Sequence, residues 1–390
     1  MVALYGQKIV PSIRELFSFL RFLWQIMSLI RMGMKMVNYN SSRGYLHLQK
    51  FLIHVVVTIS IVSVIGLYVL FHYAEAQISN KSLETGKPLQ IAYLTDGLFS
   101  DAGWGAFGYN AGQELISKYG YDVKFLDNVS VPNIEKTVRA YADKKYEVII
   151  AQGYEWGDPI LKLSNDYPNT KFIVFTGLVK SKNVASIFPR QQEAAYLLGA
   201  LGSMLSKNHT IGFIGGDQKY PNLKKIYEGY KQGALYINPK SKVLERYLGD
   251  WDNQTKGRSA GLSQIKQGAD FLLHVADYAG QGVIQAAKEK GVYAFGAVSD
   301  QNKLAPDTVV TSFILDPAKA YESVFNMIRM NNFTGTIFTP GLESSKNSTA
   351  ENGIIYIAPF HGFQKKIPTD IQDKLLQLTQ DIMNKKIIIS

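Results

Sequence analysis

The chain has 390 residues, 46% of them hydrophobic, a formal charge of +10 and no cysteine. Its length and apolar content suffice for two ordinary domains plus an appendage, which excludes a disordered chain. The missing cysteine excludes disulfides, thiolate metal sites, a cysteine nucleophile and a lipid-modified cysteine anchor. The positive charge does not point to nucleic acid. Up to Lys50 seven Lys/Arg stand against a single acid, Glu15, so this segment supplies more than half of the excess. The rest carries no Lys/Arg cluster and reads as a solvated surface.

Residues 1–50 form a basic segment, either cytoplasmic or spurious, and Met36 stands as an alternative start to Met1. Its apolar part, 16–30, contains Arg21 and suits a membrane-surface helix. Residues 51–71, FLIHVVVTISIVSVIGLYVLF, contain no Asp, Glu, Lys or Arg and no proline. That length spans ~30 Å of hydrocarbon. Basic residues precede it, while Glu75 follows and no Lys/Arg appears before Lys81. The positive-inside rule therefore places the N-terminus in the cytoplasm and the main body outside the cell membrane. The tetrapeptide AEAQ at 74–77 resembles a cleavage site, so a signal segment stays open beside an uncleaved anchor. Residues 72–88 read as a polar linker.

From Leu89 the chain alternates. LQIAYLT reads as a strand, 103–119 as a helix, YDVKFLD as a strand and 134–144 as a helix. YEVIIAQG, a helix over 156–166 and KFIVFTG follow. NVASIF leads into a long helix of small residues from near Gln191 to Leu205. The series then restarts: TIGFIGG, a helix over 222–235, KVLERYLG, a helix over 255–267, DFLLHVA, a helix over 280–290, and VYAFGAV. TVVTSFI, a helix over 317–330, TIFTPGL, GIIYIAPF and a helix over 369–384 complete it. Short Val/Ile-rich runs alternating with helices predict α/β units with parallel sheets buried on both faces. Two such series predict two lobes: 89–190 with about 314–390, and 191–313. The repeated crossings predict a hinge.

No catalytic constellation is legible. HExxH, GxSxG and the GxxxxGK[ST] loop are absent, and GFIGGD lacks dinucleotide-fingerprint spacing. His274 falls on a predicted core strand and reads as structural. Hence no enzyme, cofactor or metal site is expected. The loops after the strands are more informative: DGLFSDAGWG, QGYEWGDP, GGDQKYPN, GDWDNQ, ADYAGQG and VSDQN. Most set an aromatic or an acid beside glycine. Carboxylates accept bonds from ligand donors, and rings stack on flat ligands. The set predicts a small-molecule cleft between the lobes. Its candidate residues are Asp101, Trp104, Tyr154, Asp158, Asp277, Tyr278 and Asp300.

SDAGW, GYEWGDP, IGFIGGDQKYPNLKKIYEGYKQGALYINP, GVIQAAKEKGVYAFGAVSDQNKLAPDTVVTSF and EAAYLLGALGSM carry a family resemblance. From about Leu89 to the C-terminus the chain resembles the basic membrane protein family of type I periplasmic-binding-type proteins. The resemblance implies two Rossmann-like lobes and an extracytoplasmic substrate-binding component of an ABC importer, with an ABC permease as partner and a nucleoside, notably a purine nucleoside, as ligand. It implies Trp104 as the stacking ring, with Asp101, Asp158 and Asp300 as matching acids. The chain departs from the pattern at Val298, where the family has a ribose-binding acid, and at Ile226, where it has a second stacking phenylalanine. Asp277 and Tyr278 replace a glycine-rich turn. A subgroup resembling the Med regulator of competence genes shares these departures and the Trp251–Asp252 pair. A regulatory binding protein without transport is therefore the alternative. A DNA-binding repressor is disfavoured, because a membrane segment stands where a helix-turn-helix should be.

Overall fold

The computed structural model describes residues 87–344, apart from 102, and 353–389. The chain divides into two units, 1–78 and 79–390, and the described residues all belong to the second. The predicted membrane segment 51–71 and the segment before it lie outside them. Among the described residues no helix is long and apolar enough to cross a membrane.

The first series forms β1 (Gln90–Thr95), α1 (Trp104–Tyr119), β2 (Asp122–Leu126), α2 (Ile134–Asp143), β3 (Val148–Gln152), α3 (Gly157–Leu163), β4 (Lys171–Phe175) and β5 (Val184–Ile187). The second forms α4 (Gln191–Leu205), β6 (Thr210–Gly215), α5 (Pro221–Ile237), β7 (Lys242–Tyr247), α6 (Gln254–Lys266), β8 (Phe271–Val275), α7 (Asp277–Lys290), β9 (Tyr293–Val298) and β10 (Val309–Leu315). The helix expected over 317–330 is two, α8 (Pro317–Ala320) and α9 (Glu322–Arg329), separated at Tyr321. Tyr321 is buried there, its hydroxyl 2.7 Å from that of Tyr93. The short strands β11 (Ile337–Phe338) and β12 (Ile355–Ile357) and the helix α10 (Thr369–Met383) follow.

Two six-stranded sheets result, ordered β11-β5-β4-β3-β1-β2 and β12-β10-β9-β8-β6-β7. All pairings are parallel except β10 with β12. Every residue of β3, β8 and β10 is buried, as helices on both faces require. The outer strand β7 is instead partly exposed and carries Lys242, Glu245 and Arg246, charges that discourage pairing with a further chain. β11 joins the first sheet. β12 covers the free edge of β10, so the second sheet takes back part of the tail that the sequence places with the first lobe.

The chain passes between the sheets three times: at 188–190, after β10, and between β11 and β12. The predicted small-residue helix α4 packs on α5 at backbone contact. A Cβ on Gly199 would lie 1.8 Å from the Tyr230 carbonyl oxygen, and one on Gly233 1.9 Å from that of Tyr196.

Candidate functional site

In both sheets the strand order reverses beside the first strand, between β1 and β3 and between β6 and β8. Loops leaving the carboxyl ends of strands at such points diverge and open a crevice. A cavity of about 350 Å³ occupies that place between the two sheets, within the size range of small-molecule sites. Asp96 and Gly97 after β1, Gly153, Tyr154 and Glu155 after β3, Asp217 after β6, and Val275 and Asp277 at the end of β8 all line it.

The SDAGW loop is organised by Asp101. Its Oδ1 accepts the N–H groups of Gly103 and Ala106, at 2.7 and 3.0 Å, and its Oδ2 that of Gly105 at 2.6 Å. Asp101 thus satisfies the unpaired amides at the head of α1. Burial pushes its carboxyl up while those three donors hold it down. It borders the cavity, but its oxygens are engaged by its own loop. What this secures is Trp104 at the first position of α1. The Gln152 side chain adds a bond from Nε2 to the Trp104 carbonyl at 2.6 Å. The half-buried indole is backed by Phe107, nearly parallel at 6.1 Å, and by Phe175 at 5.6 Å. One face of a rigidly supported ring therefore remains for the cavity.

Three further rings line the same space. Tyr154 and Tyr220 meet edge to face with centroids 6.4 Å apart, and Tyr220 meets Trp251 at 5.4 Å and 65°. Trp251 lies against bare backbone: a Cβ on Gly216 would sit 2.4 Å from its ring.

Four non-glycine lining residues have left-handed backbone: Asn128 (φ 53°), Thr176 (φ 62°), Asp277 (φ 44°) and Val298 (φ 68°). For β-branched Thr and Val such values are outliers, and strain of this kind collects at ligand sites. Enclosure pushes the Asp277 carboxyl well above the ordinary range, reinforced by Asp101, Asp96 and Asp252. Burial and a hydrogen bond with Asp96 push Glu155 up to about 9.

Of the residues expected from the sequence, the cavity brings together Asp101, Trp104, Tyr154 and Asp277. Asp158 is exposed in the first turn of α3, and Tyr278 is exposed on α7; neither lines it. Asp300 lines a separate cavity of about 230 Å³ with Phe107, Asn110 and Tyr356. There its Oδ2 meets His361 Nε2 at 2.6 Å. Ile226 is fully buried in the core. Tyr220, six residues earlier, supplies the aromatic wall of that loop. Sequence reading also passed over Asp96 and Glu155. Each follows closely on the end of a strand at the switch point, β1 for Asp96 and β3 for Glu155, and that position was the available signal. His274 is 1% exposed and donates from Nε2 to Gln301 Oε1 at 2.8 Å, a core role. Among the described residues no cluster of His, Asp or Glu could hold a metal ion.

Comparison with known proteins agrees with this geometry. The family model for PnrA-like ABC transporter substrate-binding proteins (Bmp) matches residues 89–390. The transcriptional activator protein Med of Bacillus subtilis is 27% identical over 251 residues, 64% of this chain and 78% of that protein. A purine-binding protein of Brucella abortus is 28% identical over 242 residues, 60% of this chain and 68% of that protein. Among solved structures, an ABC transporter solute-binding protein from Aeropyrum pernix superposes with a TM-score of 0.69 at 21% identity, covering 78% of this chain and 94% of that one.

Proposed function

The chain belongs to the Bmp family of PnrA-like ABC transporter substrate-binding proteins, and from that premise we propose that it is a membrane-anchored, extracytoplasmic receptor that delivers a small aromatic ligand, a nucleoside or a related compound, to an ABC permease. The observation that carries this reading is the cavity between the two sheets, walled by Trp104, Tyr154, Tyr220 and Trp251. The mechanism is binding and closure. Trp104 belongs to the first lobe and Trp251 to the second, so a flat ligand between them is held only when the lobes meet. Three chain crossings supply the hinge. Residues 51–71 supply the anchor, and the lobes 89–190 and 191–313 enclose the ligand.

Thermal unfolding of the full chain with a panel of nucleosides and bases tests this. A ligand at a hundred times its Kd adds about 2.7 kcal/mol to the folded state. A panel without any shift removes the nucleoside assignment. A second reading, a regulatory binding protein without transport, is favoured by the likeness to Med and by the position of Trp251 and Asp252 on the cavity wall. Uptake of the labelled ligand by cells lacking the gene separates the two: unchanged uptake supports the regulator, lost uptake the receptor.

A further inference from the structure

The lining of the cavity narrows the ligand further, on the reading of this cleft as a receptor site. Six carboxyl groups face it: Asp96, Asp101, Glu155, Asp217, Asp252 and Asp277. Lys219 is the lining residue of opposite charge, and it is already spent. Its Nζ lies 3.2 Å from Asp217 Oδ2 and 5.0 Å from the centre of the Tyr220 ring. Asp101 is satisfied by backbone amides. Asp96, Glu155, Asp252 and Asp277 remain, and among the described residues none of them joins an ion pair. Asp96 Oδ1 and Glu155 Oε1 are buried, and the two carboxyls face each other with no basic group between them.

The aromatic walls add to the same field. Tyr154, Tyr220 and Trp251 are set edge to face, so their electron-rich faces look in different directions around one corner of the cavity. Ring faces and carboxylates attract the same kind of partner, and such corners hold ammonium-type groups. Closing over a neutral ligand would leave Asp96 and Asp252 further desolvated beside the other acids with no positive charge to offset them, a costly arrangement. An anion would make it worse.

We infer that the ligand is an organic cation, an aromatic or compact group bearing a positively charged nitrogen, seated against Tyr154, Tyr220 and Trp251 and facing Asp96, Glu155 and Asp252. Without ligand, burial and the neighbouring Asp96 raise the Glu155 carboxyl to about 9, so it carries a proton at neutral pH. An arriving cation takes over the neutralising role, so binding releases that proton and affinity increases with pH. Asp101 and Asp252 keep the field negative; Asp217 is offset by Lys219, enclosure favours the neutral form of Asp277, and Tyr154 and Tyr220 add no positive charge.

Calorimetric titration of the full chain with matched pairs tests this: nicotinamide riboside against its neutral dihydro form, and 1-methylnicotinamide against nicotinamide, with adenosine as the neutral purine reference. The expected result is a cation bound roughly tenfold or more tightly than its neutral counterpart in at least one pair. Its advantage grows from about pH 6 to about pH 8.5, with proton release visible as a dependence of the heat on buffer ionisation. The shape-preserving double variant Asp96→Asn/Glu155→Gln, checked for folding by thermal unfolding, should lose the preference. If no cation outbinds its neutral partner, or if the double variant keeps the preference and its pH dependence, the inference falls. Adenosine binding in that case leaves the receptor reading standing, whereas a panel in which nothing binds removes both.

Discussion

At the scale of single residues, the cavity depends on side chains whose own supports are visible. Trp104 is held by Gln152 through its carbonyl and by Phe107 and Phe175 through its ring. Trp104→Ala should therefore weaken ligand binding by roughly ten- to a hundredfold, the loss of a buried aromatic anchor, and leave folding intact. Calorimetry on the variant decides it; unchanged affinity would refute the assignment of the wall. Two groups give the fold opposite responses to pH. Gln301 Oε1 accepts from both the Ala297 amide and His274 Nε2, so the His274 proton sits on Nε2 and Nδ1 is left bare and unpaired. Burial lowers this imidazole to about 4. The unfolded chain then binds a proton that the folded one does not as pH falls from about 6.5 to about 4, and stability is lost over that window, by ~3 kcal/mol at most. Glu155 works the other way. Its carboxyl is raised to about 9, so the folded chain keeps a proton that the unfolded chain releases above about 4.5. Its contribution to stability declines as pH climbs from there toward about 9. Chemical denaturation across pH should show both flanks. His274→Asn should flatten the acid one and Glu155→Gln the alkaline one, and a variant with an unaltered profile would exclude its residue as the source.

At the scale of elements, packing between helices and loops is set by glycines at close approach. Gly216 leaves room for Trp251, so Gly216→Ala should displace that ring and reduce ligand affinity, with little effect on the buried strand before it. Gly233→Ala belongs to a different contact: a Cβ against the Tyr196 carbonyl forces α4 from α5 and should cost about 1–3 kcal/mol in denaturant unfolding. An unaltered midpoint would mean that the helices adjust without strain. Elements of this kind were legible in the sequence wherever burial was complete. IIA in β3 and FLLHV in β8 read as strands because both faces are covered. The interruption at Tyr321 was not legible, since it depends on a hydroxyl contact with Tyr93, more than two hundred residues away. The same holds for the return of β12 to the second sheet, which is decided by the open edge of β10. At the site, Trp104 could be read from its loop. The separation of Asp300 from the cavity could not, because it depends on how the chain after β9 turns toward His361. Tyr220 was hidden for a related reason: Ile226 occupies the matching position in the sequence, while the fold buries it and turns an earlier residue to the cleft.

At the scale of the whole molecule, the two lobes touch across the cavity mouth. Gln281 on α7 donates from Nε2 to the Asp101 carbonyl at 3.1 Å, and Gln281 Oε1 in turn accepts from Gln254 Nε2 at 3.2 Å. Tyr154 and Tyr220 meet from opposite sides. The Gln281 bond joins the two lobes and so favours the closed form of an open–closed equilibrium without contacting the space the ligand fills; Gln281 is absent from the cavity lining. A receptor whose competent state is only partly populated binds with affinity reduced by that fraction. Removing one interlobe hydrogen bond, worth about 0.5–1.5 kcal/mol, should therefore lower ligand affinity by roughly two- to tenfold in Gln281→Ala. The apparent radius of gyration of the ligand-free protein should rise, while each lobe keeps its stability. Small-angle scattering with and without ligand reads the equilibrium directly. Saturating ligand should restore the compact form in the variant, because the ligand supplies the closing energy that the bond no longer does. A variant that binds less tightly but scatters identically to the wild type in both states would show that Gln281 acts on the site through Asp101 and not through closure.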